Sequence, residues 1–168
     1  MSYYGLFIDL PGELTSFVYE EKKKIIEFST SELAHHPPHI TLATFSKPCE
    51  NLVDKISFKP THLNIDKSGF FYGEDNDYTL FFDVTISQSL IDLHQQIVQK
   101  LTEENNKLIY PYIGPNWKAH ITVGQIKNKN YLDKFLNKKH KIEATVDKLS
   151  YIKYENGLHT TLKERKFC

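Results

Sequence analysis

His39-Ile40-Thr41-Leu42 returns as His120-Ile121-Thr122-Val123, 81 positions later in a chain of 168 residues, and the reading of these two stretches decides the fold. Each lies in a run with the composition of a β-strand, where residues i and i+2 share a face. His39 and Thr41 then point one way, as do His120 and Thr122, with about 6–7 Å between the Cα atoms of each couple. Ile40 with Leu42, and Ile121 with Val123, form the apolar reverse side. A single copy would be weak, because 8 histidines and 12 threonines in 168 residues produce one His-x-Thr by chance about as often as not. A third triplet, His159-Thr160-Thr161, has a polar middle residue and follows the turn-like Glu155-Asn156-Gly157, so it reads as part of a terminal hairpin with no share in a site.

The context of the first two copies repeats as well. The first half reads as a strand (Tyr3 to Leu10), a helix (about Glu13 to Phe28), a loop and the His39 strand. The second reads as a strand (Tyr78 to Ile86), a helix (about Ser89 to Asn105), a loop and the His120 strand. Ile8 stands 31 positions before His39 and Val84 stands 36 before His120, which suggests them as equivalents. Leu90, Leu93, Ile97 and Leu101 make a helical stripe, and Leu14, Phe17, Val18 and Ile25 a poorer one. Pro11-Gly12 marks the start of the first helix, and Ser87 or Ser89 caps the second. With a strand over Thr61–Tyr72, a short amphipathic segment from Tyr131 to Leu136, a strand near Ile142 to Tyr154 and a last one from Leu158 to Lys166, the order is β-α-β-β-β-α-β-α-β-β. The expectation is an α+β fold: a bilobal, pseudo-twofold arrangement of antiparallel sheets around a central cleft with helices outside.

Length fits one domain over 1–168, with no linker or low-complexity tract. The block Lys22-Lys23-Lys24 reads as a solvated helix face. The N-terminus lacks a signal-peptide pattern and no apolar run approaches 18 residues, so a cytoplasmic protein without membrane contact is expected. Cys49 and Cys168 read as free thiols. Formal net charge is zero, with 21 acidic and 21 basic side chains, which argues against a sequence-independent nucleic-acid coat and for a small or short substrate. His35-His36-Pro37-Pro38-His39 resembles a metal cluster only superficially, since no acidic or thiol ligands accompany it. His62, His94 and His140 read as surface or hydrogen-bonded histidines.

Together, Ile8-Asp9-Leu10-Pro11, Pro38-His39-Ile40-Thr41-Leu42 and Trp117-Lys118-Ala119-His120-Ile121-Thr122-Val123 resemble the 2H phosphoesterase superfamily, the 2′-5′ RNA ligase and cyclic phosphodiesterase group. The likeness spans nearly the whole chain. It implies that His39, Thr41, His120 and Thr122 are catalytic, that no cofactor or metal takes part, and that a phosphodiester beside a ribose 2′ or 3′ oxygen is hydrolysed or transesterified. The expected bonds are 2′,3′-cyclic phosphates, 2′-5′ linkages or those of small cyclic oligonucleotides. The partner would be a nucleotide, an oligonucleotide or an RNA end, and the protein a monomer. A non-catalytic module that holds a nucleotide or RNA end in the same cleft is the alternative.

The chemistry needs one neutral imidazole as base and one imidazolium as acid, both reachable from a free pKa of about 6.5. The threonines would donate to the non-bridging oxygens. The order of the motifs does not fix the two roles; the expectation takes His120 as base and His39 as acid. Many relatives carry arginine shortly after the threonine, whereas here Ala43-Thr44 and Gly124-Gln125 follow, so the cationic flank is missing. Base stacking would fall to Phe45, Tyr112, Trp117 or Tyr154, with Lys118 and Gln125 as polar contacts.

Overall fold

The computed structural model describes residues 2–73, 75–109 and 116–168. Its elements are β1 (Ser2–Asp9), α1 (Gly12–Lys23), β2 (His39–Phe45), β3 (Thr61–Tyr72), β4 (Tyr78–Val84), α2 (Gln88–Glu103), β5 (His120–Ile126), α3 (Lys129–Leu136), β6 (Ile142–Val146), β7 (Lys148–Glu155) and β8 (Leu158–Lys166). The fold is α+β, as the sequence suggests. Among the described residues all strands join one antiparallel sheet in the order β6-β3-β4-β5-β2-β1-β7-β8, four from each lobe.

The expected strand from Ile142 to Tyr154 is in fact two. β6 pairs with β3 at one edge and β7 pairs with β1 near the other, with Asp147 alone between them. One residue spans only about 7 Å between its neighbours' Cα atoms, so the two ends of the sheet must approach each other there. The sheet is therefore curled into a half-barrel.

Helix α1 is shorter than expected. It ends at Lys23, and a 3₁₀ turn over Ile26–Phe28 follows. Ile25 is buried just after the helix. Its Cδ1 would lie 2.5 Å from a Cβ at position 124, and Ala34 Cβ would lie 3.2 Å away, so Gly124 leaves the space that this turn fills. α2 starts where Ser87 Oγ accepts the Leu90 N–H, and its stripe Leu90, Leu93, Ile97 and Leu101 is buried. α1 packs on β5 and α2 on β2, so each lobe's helix backs the other lobe's histidine strand. Among the described residues no helix is long and apolar enough to cross a membrane.

Candidate active site

The two histidine strands meet at Ile40↔Ile121. Both isoleucines are buried in the helix-side core, so the residues on either side of them face the opposite way, into the cleft. In that antiparallel register His39 comes beside Thr122, and Thr41 beside His120. All four motif residues are half-buried. The structure thus brings together the four residues the repeat singled out.

The repeat extends further than the sequence reading saw. Asp9 and Phe7 are the β1 partners of His39 and Thr41, while Asp83 and Phe81 are the β4 partners of His120 and Thr122. The true equivalents are Leu6-Phe7-Ile8-Asp9 and Leu80-Phe81-Phe82-Asp83. Ile8 therefore matches Phe82, not Val84. That four-residue likeness was the signal available in the sequence. Each histidine strand also bulges one residue after its threonine, at Leu42 and Val123, as strands beside functional sites often do. His94 Nδ1–H donates to the bulge carbonyl of Leu42 at 2.9 Å, which makes His94 the hydrogen-bonded histidine expected.

The two imidazoles are held alike. His39 Nδ1 lies 2.7 Å from the Pro37 carbonyl oxygen, and His120 Nδ1 lies 2.7 Å from that of Lys118. A carbonyl only accepts, so each Nδ1 carries the proton and each Nε2 is left with a lone pair. The Phe7 ring stacks on His39 at 3.8 Å and 9°, whereas Phe81 is tilted by 60° from His120 at 5.2 Å.

Their surroundings differ. Burial, against the opposing pull of the Pro37 carbonyl and together with the nearby His159, Lys22 and His36, pushes His39 down to about 3. Burial also lowers His120, against the pull of the Lys118 carbonyl; the Lys118 ammonium lowers it and the Asp83 carboxylate raises it. His159 is pushed down to about 4 by burial and by His36. The third triplet, expected to stand apart, therefore does reach the site. The His159 ring is 5.9 Å from His39 and 4.4 Å from His36, because β8 pairs with β7 and the curl carries it over β1. Lys22 is likewise not solvated. It is 2% exposed, its Nζ donates to the Leu33 carbonyl at 2.8 Å, and burial lowers it to about 8.

The expected stacking residues fare unevenly. Phe45 is 0% exposed, flanked by Tyr4 and Tyr151 at 6.3 and 6.1 Å, and belongs to the core. Trp117 is 7% exposed. Its ring lies flat on His94 at 4.3 Å, and its Nε1–H donates to the Thr41 carbonyl at 3.3 Å, so it supports the motif strand from behind. Both are corrections: large apolar rings beside the motif are drawn into the core that the motif's isoleucines begin. Tyr112 lies outside the described residues. Tyr154 is half-buried at the His39 end, stacked on Tyr3 at 4.7 Å and 5.2 Å from His159. Lys118 is exposed beside His120, its Nζ 3.6 Å from Asp83 and 4.7 Å from the Phe81 ring centre. Gln125 lies across from Thr79 on β4, with its amide beside Gly73. An aromatic the sequence reading missed, Phe71, stands 5.1 Å from His120. Among the described residues no three His, Cys, Asp or Glu side chains are placed to hold a metal ion.

A family model for the 2′-5′ RNA ligase superfamily matches residues 18–158. No curated protein sequence matches. Among solved structures, Escherichia coli LigT in apo form aligns with a TM-score of 0.68 at 16% identity, over 99% of this chain and 98% of that one. LigT complexed with 3′-AMP gives 0.67 at 15%, over 99% and 97%. TT0787 of Thermus thermophilus gives 0.66 at 17%, over 98% and 97%. At these identities the likeness speaks to the fold.

Proposed function

The chain belongs to the 2′-5′ RNA ligase superfamily, within the 2H phosphoesterases, and on that premise we propose that it is a metal-independent phosphodiesterase. Its substrates are 2′,3′-cyclic phosphate, 2′-5′ or small cyclic oligonucleotide bonds, which it hydrolyses or transesterifies. One observation carries this reading: two imidazoles on adjoining strands each have Nδ1–H tied to the carbonyl two residues earlier, which leaves each Nε2 lone pair available for proton transfer. That E. coli LigT is crystallised with 3′-AMP supports a nucleotide as the ligand of such a cleft.

In hydrolysis of a 2′,3′-cyclic phosphate, His39 Nε2 takes a proton from water as its oxygen attacks phosphorus. The bond from phosphorus to the departing ribose oxygen breaks, and that oxygen receives the proton from His120 Nε2. Thr41 and Thr122 donate hydrogen bonds to the non-bridging oxygens as charge builds there. Burial lowers both imidazoles, so each Nε2 keeps its lone pair near neutrality, and with His39 as base it is His120 that must take up a proton when substrate binds. This is the reverse of the assignment expected from the sequence. In the free protein both rings are uncharged near neutrality, and the incoming phosphate anion favours protonation of His120. A ribose 2′-hydroxyl in place of water gives transesterification by the same groups.

The test is a panel of nucleoside 2′,3′-cyclic phosphates, 2′-5′ diadenylate and cyclic di- and trinucleotides, incubated in EDTA with the protein, His39→Ala and His120→Ala. Turnover that survives the chelator and drops by about 10²–10⁴ in each variant is expected. Tight binding with no product from any substrate would instead assign the cleft to a nucleotide-holding module.

A further inference from the structure

Two phenylalanines of β3 and a tyrosine are exposed at the surface, but they do not share a face. Phe70 and Tyr72 both turn to Tyr78, at 5.6 and 5.5 Å. Phe71 turns to the cleft, where its ring lies 4.4 Å from Phe81 and 5.1 Å, edge to face, from His120. It keeps 41% of its surface exposed. Gly69, two residues earlier on the same face, contributes no side chain, and none fits there: a Cβ would lie 2.6 Å from the Phe81 ring. The Phe81 ring thus fills the space over Gly69 and packs on Phe71, His120 meets Phe71 edge to face, and the rest of the Phe71 ring is open to solvent.

Among the described residues the equivalent position in the His39 half carries no aromatic ring. Phe71 stands across from Thr79 on β4, which corresponds to Gly5 on β1, and across from Gly5 on β7 stands the buried Ile152. Ser150, across from Phe7, corresponds to Gly69, and its hydroxyl donates to Asp9 at 2.6 Å. The aromatic ring at that end, Tyr154, is already stacked on Tyr3 and edged by His159. The pseudo-twofold cleft is thus equipped unequally, with a 41% exposed aromatic ring beside His120 and a crowd of imidazoles beside His39, where Tyr154 is half-buried.

We infer that Phe71 is the stacking platform for the base of the nucleoside whose 2′ or 3′ oxygen departs from phosphorus, and that this nucleoside lies on the β3–β4–β5 side of the cleft with that oxygen at His120. This rests on the reaction proposed above and adds its direction: the nucleoside sits by the acid and water arrives from the His39 side. Every base has a π-face, so the platform fixes placement without selecting the base. The Gln125 amide, beyond Thr122 on β5, and the Lys118 ammonium flank the same half, within the reach of a base edge and of the phosphate.

The test compares an adenosine 2′,3′-cyclic phosphate with the base-free methyl riboside 2′,3′-cyclic phosphate, using the protein, Phe71→Ala and Phe71→Tyr. Phe71→Ala is expected to raise KM for the adenosine substrate by roughly 5- to 150-fold with kcat little changed, to leave the base-free substrate unaffected, and to be rescued by Phe71→Tyr. Equal effects on both substrates would mean that Phe71 only props His120, and no effect on either would mean that the base lies elsewhere. Each result overturns the inference while leaving the reaction intact. If the unmodified protein turns over neither substrate, the reaction fails, and calorimetric binding of 3′-AMP against methyl riboside 3-phosphate still decides. Loss of the difference between them in Phe71→Ala supports the platform, and its persistence overturns it.

Discussion

Ile40 is the register partner of Ile121, and among the described residues this couple is the one ladder position joining β2 to β5. Everything the two lobes share in the cleft is organised around it. Beyond it each strand is flanked by the segment leading into the other: the Thr44 carbonyl accepts the Ile109 N–H at 2.9 Å, and the Gln125 carbonyl accepts that of Thr30 at 2.8 Å. The seam is thus a twofold-like crossing with the four motif residues on its cleft side.

Removing either threonine hydroxyl without changing shape isolates its role. Thr41→Val and Thr122→Val are each expected to lower kcat by about 10²–10³ on a 2′,3′-cyclic substrate, the range seen for a single transition-state donor. Thermal melts should remain close to that of the unmodified protein.

Trp117 separates support from substrate contact. Trp117→Phe forfeits the hydrogen bond to the Thr41 carbonyl while keeping most of the ring against His94. It should lower stability by about 1 kcal/mol in a urea melt and leave nucleotide KM unchanged. A rise in KM with unaltered stability would return Trp117 to the substrate.

Gly124 is required by packing. Gly124→Ala places a methyl group 2.5 Å from Ile25 Cδ1, and overpacking of this kind costs about 1–3 kcal/mol. Ile25→Val removes the Cδ1 atom, so the double variant should be more stable than Gly124→Ala alone by denaturant titration.

The lowered imidazoles set a pH dependence of stability. His39 and His159, near 3 and 4 in the folded chain, take up protons in the unfolded chain below its ordinary value of about 6.5. The unfolded state then binds more protons, so the stability present above about pH 6.5 is lost progressively as pH falls toward those folded values. Melting temperature should fall over that window, and less steeply in His159→Phe than in the unmodified chain.

Lys22→Met removes a charge that lowers both His36 and His39. The His39 titration, followed by imidazole NMR, is expected to move upward. An unmoved titration would show that the Lys22 charge is not felt in the cleft.

The sequence by itself determined what depends on near neighbours. Strand period placed His39 with Thr41 and His120 with Thr122 on one face and the isoleucines on the other, and the stripe of α2 followed from helical period; both are local geometries repeated at every residue. What the tertiary structure decided is which distant segments become neighbours. Asp147 splits one expected strand between one edge of the sheet and the strand next to the other edge, the resulting curl brings His159 to His39, and the 3₁₀ turn over Glu32–Ala34 meets the buried Lys22. Trp117 and Phe45 go to the core while Phe71 stays open. Aromatic and imidazole side chains read alike in a sequence whether they are covered or bare, because burial is set by contacts across many residues and not by the residues beside them.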